Sequence, residues 1–192
     1  VYLTAFQKGY TPDTVVFDLE TEFNALDDIG QSYKPQNFDE EFLGPITLKE
    51  ALAQSRNIPA VKTLYLTGID AVLRTANNFG ISTLTERSRY GLSLVLGGGE
   101  VRLIELIHAY GILSQDGTEH KQSLVLRVED SKKNTLEEYQ DKKTEIINPQ
   151  YPRLINEILS DIELRRPLFQ NSLPLTTFED REVALKTGTT ND

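Results

Sequence analysis

Val183-Ala-Leu-Lys-Thr-Gly-Thr189 is the stretch on which the reading of this chain turns. Strand side chains alternate, so as a strand it sets Val183, Leu185 and Thr187 on one face and Ala184, Lys186 and Gly188 on the other. Lys186 then shares its face with a residue that has no side chain. That arrangement suits a carboxylate ligand lying along the strand edge. The ammonium supplies charge, Gly188 supplies room, and flanking hydroxyls and N–H groups supply hydrogen bonds. Taken alone, the same residues also describe an ordinary strand with one exposed lysine.

Upstream of it, Arg165 to Asp180 reads as irregular, and Pro152 to Ile162 as a short helix with Leu154, Ile155, Ile158 and Leu159 along one side. Ser123 to Val128 and Leu136 to Tyr139 predict two strands around the polar turn at Asp130 to Asn134, with Lys142 to Asn148 continuing the second. Val101 to Leu113 is apolar at Leu103, Leu106, Ile107, Tyr110 and Leu113, which predicts a core helix. His108 on that helix reads as structural, and His120 falls in the turn after Gly117. Two separated histidines without a shared partner do not make a metal site. The glycines of Leu94-Val-Leu-Gly-Gly-Gly-Glu100 fit neither nucleotide-binding glycine pattern, so a flexible or close-packed lead into the next helix is expected.

Asp70 to Phe79 has clean helical spacing and Gly80 to stop it. Before it, Thr47-Leu-Lys-Glu50 has the form of a capping box opening a helix that runs to Gln54. A second helix starts near Pro59, because proline suits a first helical turn and biases the preceding residue away from helix. Ser55 and Asn57 therefore stand at the break between two helices. Glu20 to Pro45 is polar and reads as a long loop, Val15 to Leu19 as a short strand, and Val1 to Lys8 as the tail of a helix stopped by Gly9.

The chain has 192 residues, enough for one domain or for a large and a small lobe. Its formal charge of −9 argues against nucleic acid as a partner. The absence of cysteine excludes disulfides and thiol catalysis. No apolar run approaches the about 18 residues that a spanning helix needs. With no methionine at position 1, and with both ends falling beside apolar segments, the expectation is a piece of a longer protein.

Ser55-Arg-Asn57 matches a Ser-x-Asn motif and Lys186-Thr-Gly188 a Lys-Thr-Gly motif, in the order found in penicillin-binding transpeptidases and serine β-lactamases. The flanks extend the match. Ile46 to Lys62 resembles the helix and loop around Ser-x-Asn in class A penicillin-binding proteins. Leu94 to Gly117 is similar to another stretch of that family, Leu185 to Asp192 to its third motif, and Val1 to Pro12 to the helix after its nucleophile. The resemblance covers residues 1–192 and is nearest to the penicillin-binding protein 1C type.

The resemblance implies an α+β transpeptidase fold, helix-rich with an incomplete antiparallel sheet, and a peptidoglycan D,D-transpeptidase working through a serine acyl-enzyme, with no cofactor and no metal. Stem peptides and β-lactams are the implied partners. A glycosyltransferase domain and a membrane anchor are implied for the parent, which would face the cell exterior. Ser55 would relay a proton, Asn57 would bond the substrate backbone, and Lys186 would set the electrostatics of Ser55 and attract the substrate carboxylate. The Thr187 and Thr189 hydroxyls would bind that carboxylate, the Thr189 N–H would form one arm of an oxyanion hole, and Gly188 would keep the strand open.

The sequence departs from the family at its first motif. No serine here has lysine three residues later, so the nucleophile is expected upstream of Val1, and this piece alone is expected not to acylate. A serine β-lactamase or D,D-carboxypeptidase uses the same motifs, but no deacylating glutamate of the class A β-lactamase kind can be assigned. The reading from a different class is a non-catalytic module binding cell-wall peptide or a partner protein. An exposed edge on the last strand predicts self-association.

Overall fold

The computed structural model describes residues 1–23 and 32–188. Helix α1 (Tyr2–Gln7) buries Tyr2, Ala5 and Phe6 and ends where Gly9 takes a φ of 92°. Strand β1 (Val15–Asp18) turns Val16 and Asp18 inward and Val15 and Phe17 outward. It pairs antiparallel with β2 (Gly44–Thr47), Val15 opposite Thr47 and Asp18 opposite Gly44. The sequence reading placed the first half of β2 inside a loop, because Gly44 and Pro45 disguise a strand that only β1 calls into existence.

Strand β2 passes without a linker into α2 (Leu48–Ala53). Thr47 makes the expected capping box: the Glu50 amide donates to its hydroxyl at 3.3 Å and its own amide donates to the Glu50 carboxylate at 2.7 Å. Helix α3 (Asn57–Thr67) follows, then α4 (Ile69–Asn78), with Gly68 between them at a φ of 78°. Residues Leu92–Leu96 form a short 3-10 turn before Gly97.

Helix α5 (Leu103–Ser114) leads to β3 (Thr118–His120). Strands β4 (Arg127–Glu129) and β5 (Thr135–Glu138) form the expected hairpin. Strand β6 (Lys143–Glu145) does not continue β5, as the sequence reading had it, but returns to pair with β3. Helix α6 (Gln150–Ser160) is followed by α7 (Ile162–Phe169) and a 3-10 stretch at Gln170–Thr176. The irregular reading of Arg165 to Asp180 is thereby corrected. Asp161 caps α7 by accepting from the Leu164 amide at 3.0 Å, and this outweighs Pro167 inside the helix.

Among the described residues the strands form three separate antiparallel pairs, so the class is α+β with small sheets. The largest core joins Tyr2, Phe6, Val16, Ile46, Leu48 and Leu52 to Ile155, Ile158 and Leu159 of α6. A second core holds Val61 and Leu64 of α3 against Val72, Tyr90 and Leu92.

Two further expectations fail. Helix α5 is not a core helix here: Leu103 is 72% exposed and Ile104 and Ile107 56% each, while Ala109 and Ile112 face inward. The helix is apolar all round, and α6 and β3 cover only one side of it. Residues 183–188 do not form a strand, since a strand needs a partner and no described strand pairs with them.

Candidate active site

After α2 the chain reverses at Ser55, whose amide donates to the Leu52 carbonyl at 3.2 Å and whose φ is 54°. That is the left-handed region, which costs a non-glycine residue about 1–3 kcal/mol and persists where the surroundings over-determine it. Arg56 is then extended, and α3 begins at Asn57 with Pro59 in its first turn.

Arg56 is buried, and all three kinds of guanidinium nitrogen are engaged. Nε donates to Asp18 at 2.9 Å, Nη1 to Asp39 at 2.5 Å, and Nη2 to the Glu41 carbonyl at 2.5 Å. Asp18 is fully buried and also accepts from Asn37 at 2.7 Å and from the Leu43 amide at 3.3 Å. Burial pushes the Asp39 carboxyl upward, but its bonds to Arg56 and to the Glu41 amide outweigh this and hold it below its ordinary value. The loop before β2 is thus clamped to the residue beside Ser55.

The last described segment approaches from the opposite end of the chain. The Leu185 amide donates to the carbonyl of Leu159, the penultimate residue of α6, at 3.1 Å. Lys186 is thereby presented to the break between α2 and α3. Its Nζ donates to Ser55 Oγ at 2.6 Å and to the Thr187 carbonyl at 2.7 Å. Burial depresses the Lys186 pKa below 10.5. The two motifs, 131 residues apart in sequence, therefore meet in one contact. A partly desolvated ammonium against a serine hydroxyl is an arrangement in which a proton can pass between lysine, serine and a third group.

Asn57 lies next to this pair, and its Nδ2 donates to the Gln36 carbonyl at 2.8 Å. Thr187 is half-buried and Gly188 exposed, with nothing within 4 Å of the place a Cβ would occupy on Gly188. Thr189 lies outside the described residues. The structure brings Ser55 and Lys186 together, with Asn57 beside Ser55 and Thr187 and Gly188 beside Lys186.

The histidines are elsewhere. His108 joins Glu119 at 2.9 Å, bridging α5 to β3, and His120 joins Asp141 at 2.9 Å. Among the described residues no cluster of three or more acids and histidines could hold a metal. Sequence reasoning missed Asp18, Asn37, Asp39 and Arg56. One signal was available: Asp18 closes the apolar run Val15-Val-Phe17, a position where an acid needs a buried partner.

The family model described as the penicillin binding protein transpeptidase domain matches residues 1–192. Penicillin-binding protein 2D of Bacillus subtilis is 32% identical over 195 residues, covering 100% of this chain and 28% of that protein. Penicillin-binding protein 1A of Aquifex aeolicus is 32% identical over 192 residues, covering 100% of this chain and 25% of that protein. The chain thus spans about a quarter of the length of these curated relatives. Neither is of the 1C type that the flanking residues resemble; the likeness they support is to the family as a whole.

Among solved structures, penicillin-binding protein A from M. tuberculosis, as its imipenem acyl-enzyme complex, superposes with a TM-score of 0.79 at 17% identity, over 99% of this chain and 46% of that one. The D,D-transpeptidase domain of a peptidoglycan glycosyltransferase from Eggerthella lenta gives 0.76 at 16% identity, over 100% of this chain and 52% of that one. At such identities these two matches speak to the fold alone.

Proposed function

The chain belongs to the penicillin-binding protein transpeptidase family, and from that membership we propose that residues 1–192 are the part of a D,D-transpeptidase domain carrying its second and third motifs. The whole domain would cross-link peptidoglycan stem peptides through a serine acyl-enzyme, with the nucleophile upstream of Val1. The observation that carries the proposal is the 2.6 Å contact between Lys186 Nζ and Ser55 Oγ.

The roles are those the family chemistry suggests, and the Ser55–Lys186 contact supports the central one. The upstream serine gives its hydroxyl proton to the lysine of its own motif and attacks the carbonyl carbon between the two terminal D-alanines. The oxyanion so formed is held in part by the Thr189 N–H. The C–N bond breaks, and the departing amine takes a proton that Ser55 passes on. An acceptor amine then attacks the ester and gives up a proton by the same route. Lys186 fits the relay because burial already weakens its hold on its proton. Its charge, with the Thr187 and Thr189 hydroxyls, receives the substrate carboxylate, and bare Gly188 leaves room for it. The Asn57 carboxamide bonds the substrate backbone. A β-lactam would acylate the same serine.

The parent would carry a glycosyltransferase domain and a membrane anchor and expose this domain outside the cytoplasmic membrane. The larger size of the relatives supports that reading. No helix among the described residues is long and apolar enough to cross a membrane.

One observation favours a second reading. The absence of any Ser-x-x-Lys in the chain fits a non-catalytic module that binds cell-wall peptide. Intact mass after exposure to penicillin separates the two, measured on this chain and on one extended at both ends. A single adduct on the extended protein alone is expected. A folded extended protein that takes no adduct would leave the binding module.

A further inference from the structure

Resting on the transpeptidase reading of the Ser55–Lys186 pair, we propose that Asn37 is a positioning residue for that pair. Its buried carboxamide supplies the cap that α3 lacks, and so fixes the backbone on which Ser55 meets Lys186.

A helix begins with N–H groups that have no partner inside it. At α3 the cap position is Arg56, whose guanidinium carries only donors and so cannot accept from the first helical amides. Asn37 fills the gap from 20 residues upstream. Its Oδ1 accepts from the Asn57 amide at 3.0 Å and from the Ile58 amide at 3.2 Å. Its Nδ2 donates to Asp18 at 2.7 Å and to the Glu41 carbonyl at 2.8 Å. Oxygen faces only donors and nitrogen only acceptors, so the amide has one orientation and every bonding site in use.

Asn37 is 3% exposed although it sits in a segment without regular structure. Buried asparagine in such a place is bought by its partners, and here the partners are the two amides that follow Ser55 and Arg56. The neighbouring Gln36 carbonyl takes the Asn57 side chain at 2.8 Å, so consecutive residues of one segment grip both the backbone and the amide of Asn57. With Asn57 held on one side and α2 on the other, Ser55 has little choice but its left-handed turn. Asn37 shares no hydrogen bond with Ser55 Oγ or Lys186 Nζ, so it acts through the backbone and is not catalytic.

The test has two arms. In the chain itself, Lys186 is labelled with acetic anhydride across a pH series and read by peptide mass spectrometry, with exposed Lys132 as internal standard. Asn37→Ala should move the half-labelling pH of Lys186 upward, towards that of an ordinary lysine. The exchanged pair Asn37→Asp with Asp18→Asn, which keeps an acceptor facing α3 and a donor between the two side chains but gives up the donation to the Glu41 carbonyl, should move it part of the way back. In the parent protein carrying Ser-x-x-Lys, Asn37→Ala should slow penicillin acylation about 100-fold, the scale of a misplacement of about 1 Å. The exchanged pair should recover part of that loss.

A folded Asn37→Ala protein with unchanged labelling and unchanged acylation overturns the proposal. If the alanine variant does not fold, the exchanged pair decides. A midpoint below the ordinary lysine value supports the proposal, and a midpoint at that value overturns it. A wild-type parent that takes no adduct sinks the transpeptidase reading instead, and leaves the labelling arm standing.

Discussion

Two arginines in this fold are almost completely buried, Arg56 at 3% exposure and Arg165 at 1%. Their surroundings differ sharply. Arg56 has a carboxylate on Nε, another on Nη1 and a carbonyl on Nη2. Arg165, on α7, reaches the Thr176 hydroxyl at 3.4 Å and the Thr176 carbonyl at 3.5 Å, and its Nε has no partner. Among the described residues no acid pairs with it. A buried cation stabilises a fold only through its counter-charge, because desolvation is otherwise uncompensated. The first arginine sits beside Ser55 and is held on all sides. The second lies under the 3-10 stretch that precedes Lys186, and it contributes bulk without electrostatic return.

The largest expected effect breaks the compensated side. Asp18→Ala removes the fully buried acid and should cost about 3–5 kcal/mol in chemical denaturation, because Arg56 is then left short of charge. A loss below about 1 kcal/mol would mean that Asp39 alone suffices, and the contrast between the two arginines would shrink. Arg165→Met is the opposite experiment: the stem volume is kept and the unmatched charge removed. Stability should stay level or rise by about 1 kcal/mol. A loss of more than about 2 kcal/mol would expose a counter-charge for Arg165 that the described contacts do not contain.

The smallest effect concerns pH. Burial lowers the folded pKa of Lys186 below 10.5, so the unfolded chain binds this proton over a window in which the folded chain has released it. Stability gains from this group as pH rises through that window, and the penalty is fully present below it. Comparing the denaturation midpoints of wild type and Lys186→Met from neutral to alkaline pH isolates the contribution. The two curves should converge as pH approaches 10.5. Parallel curves would mean that the lysine titrates alike in both states.

The same contrast shows what the sequence made legible. Short-range chemistry was readable: Thr47 and Glu50 form their capping box, and Gly9, Gly68 and Gly80 end helices at positive φ. Ser55 and Lys186 were readable because each lies in a three-residue motif whose meaning comes from a family. Arg56, Asp18 and Asn37 were not, since these contacts span 19 to 38 residues across a loop with no periodicity. Helix α5 misled because a sequence apolar on every side announces burial without saying what buries it. Residues 183–188 misled because alternation describes a strand's faces, whereas a strand exists only by pairing.

The tether at Leu185 has a practical consequence. Among the described residues, a single backbone hydrogen bond, Leu185 to Leu159, links residues 182–188 to the body of the fold. The segment that carries Lys186 is therefore pinned through its backbone at one point, with the Lys186–Ser55 contact as the catch beside it. The exchange of one amide proton for deuterium then becomes a gauge of the whole site. Slow exchange at Leu185 marks the lysine seated on its serine, and anything that lifts the latch will be heard first there.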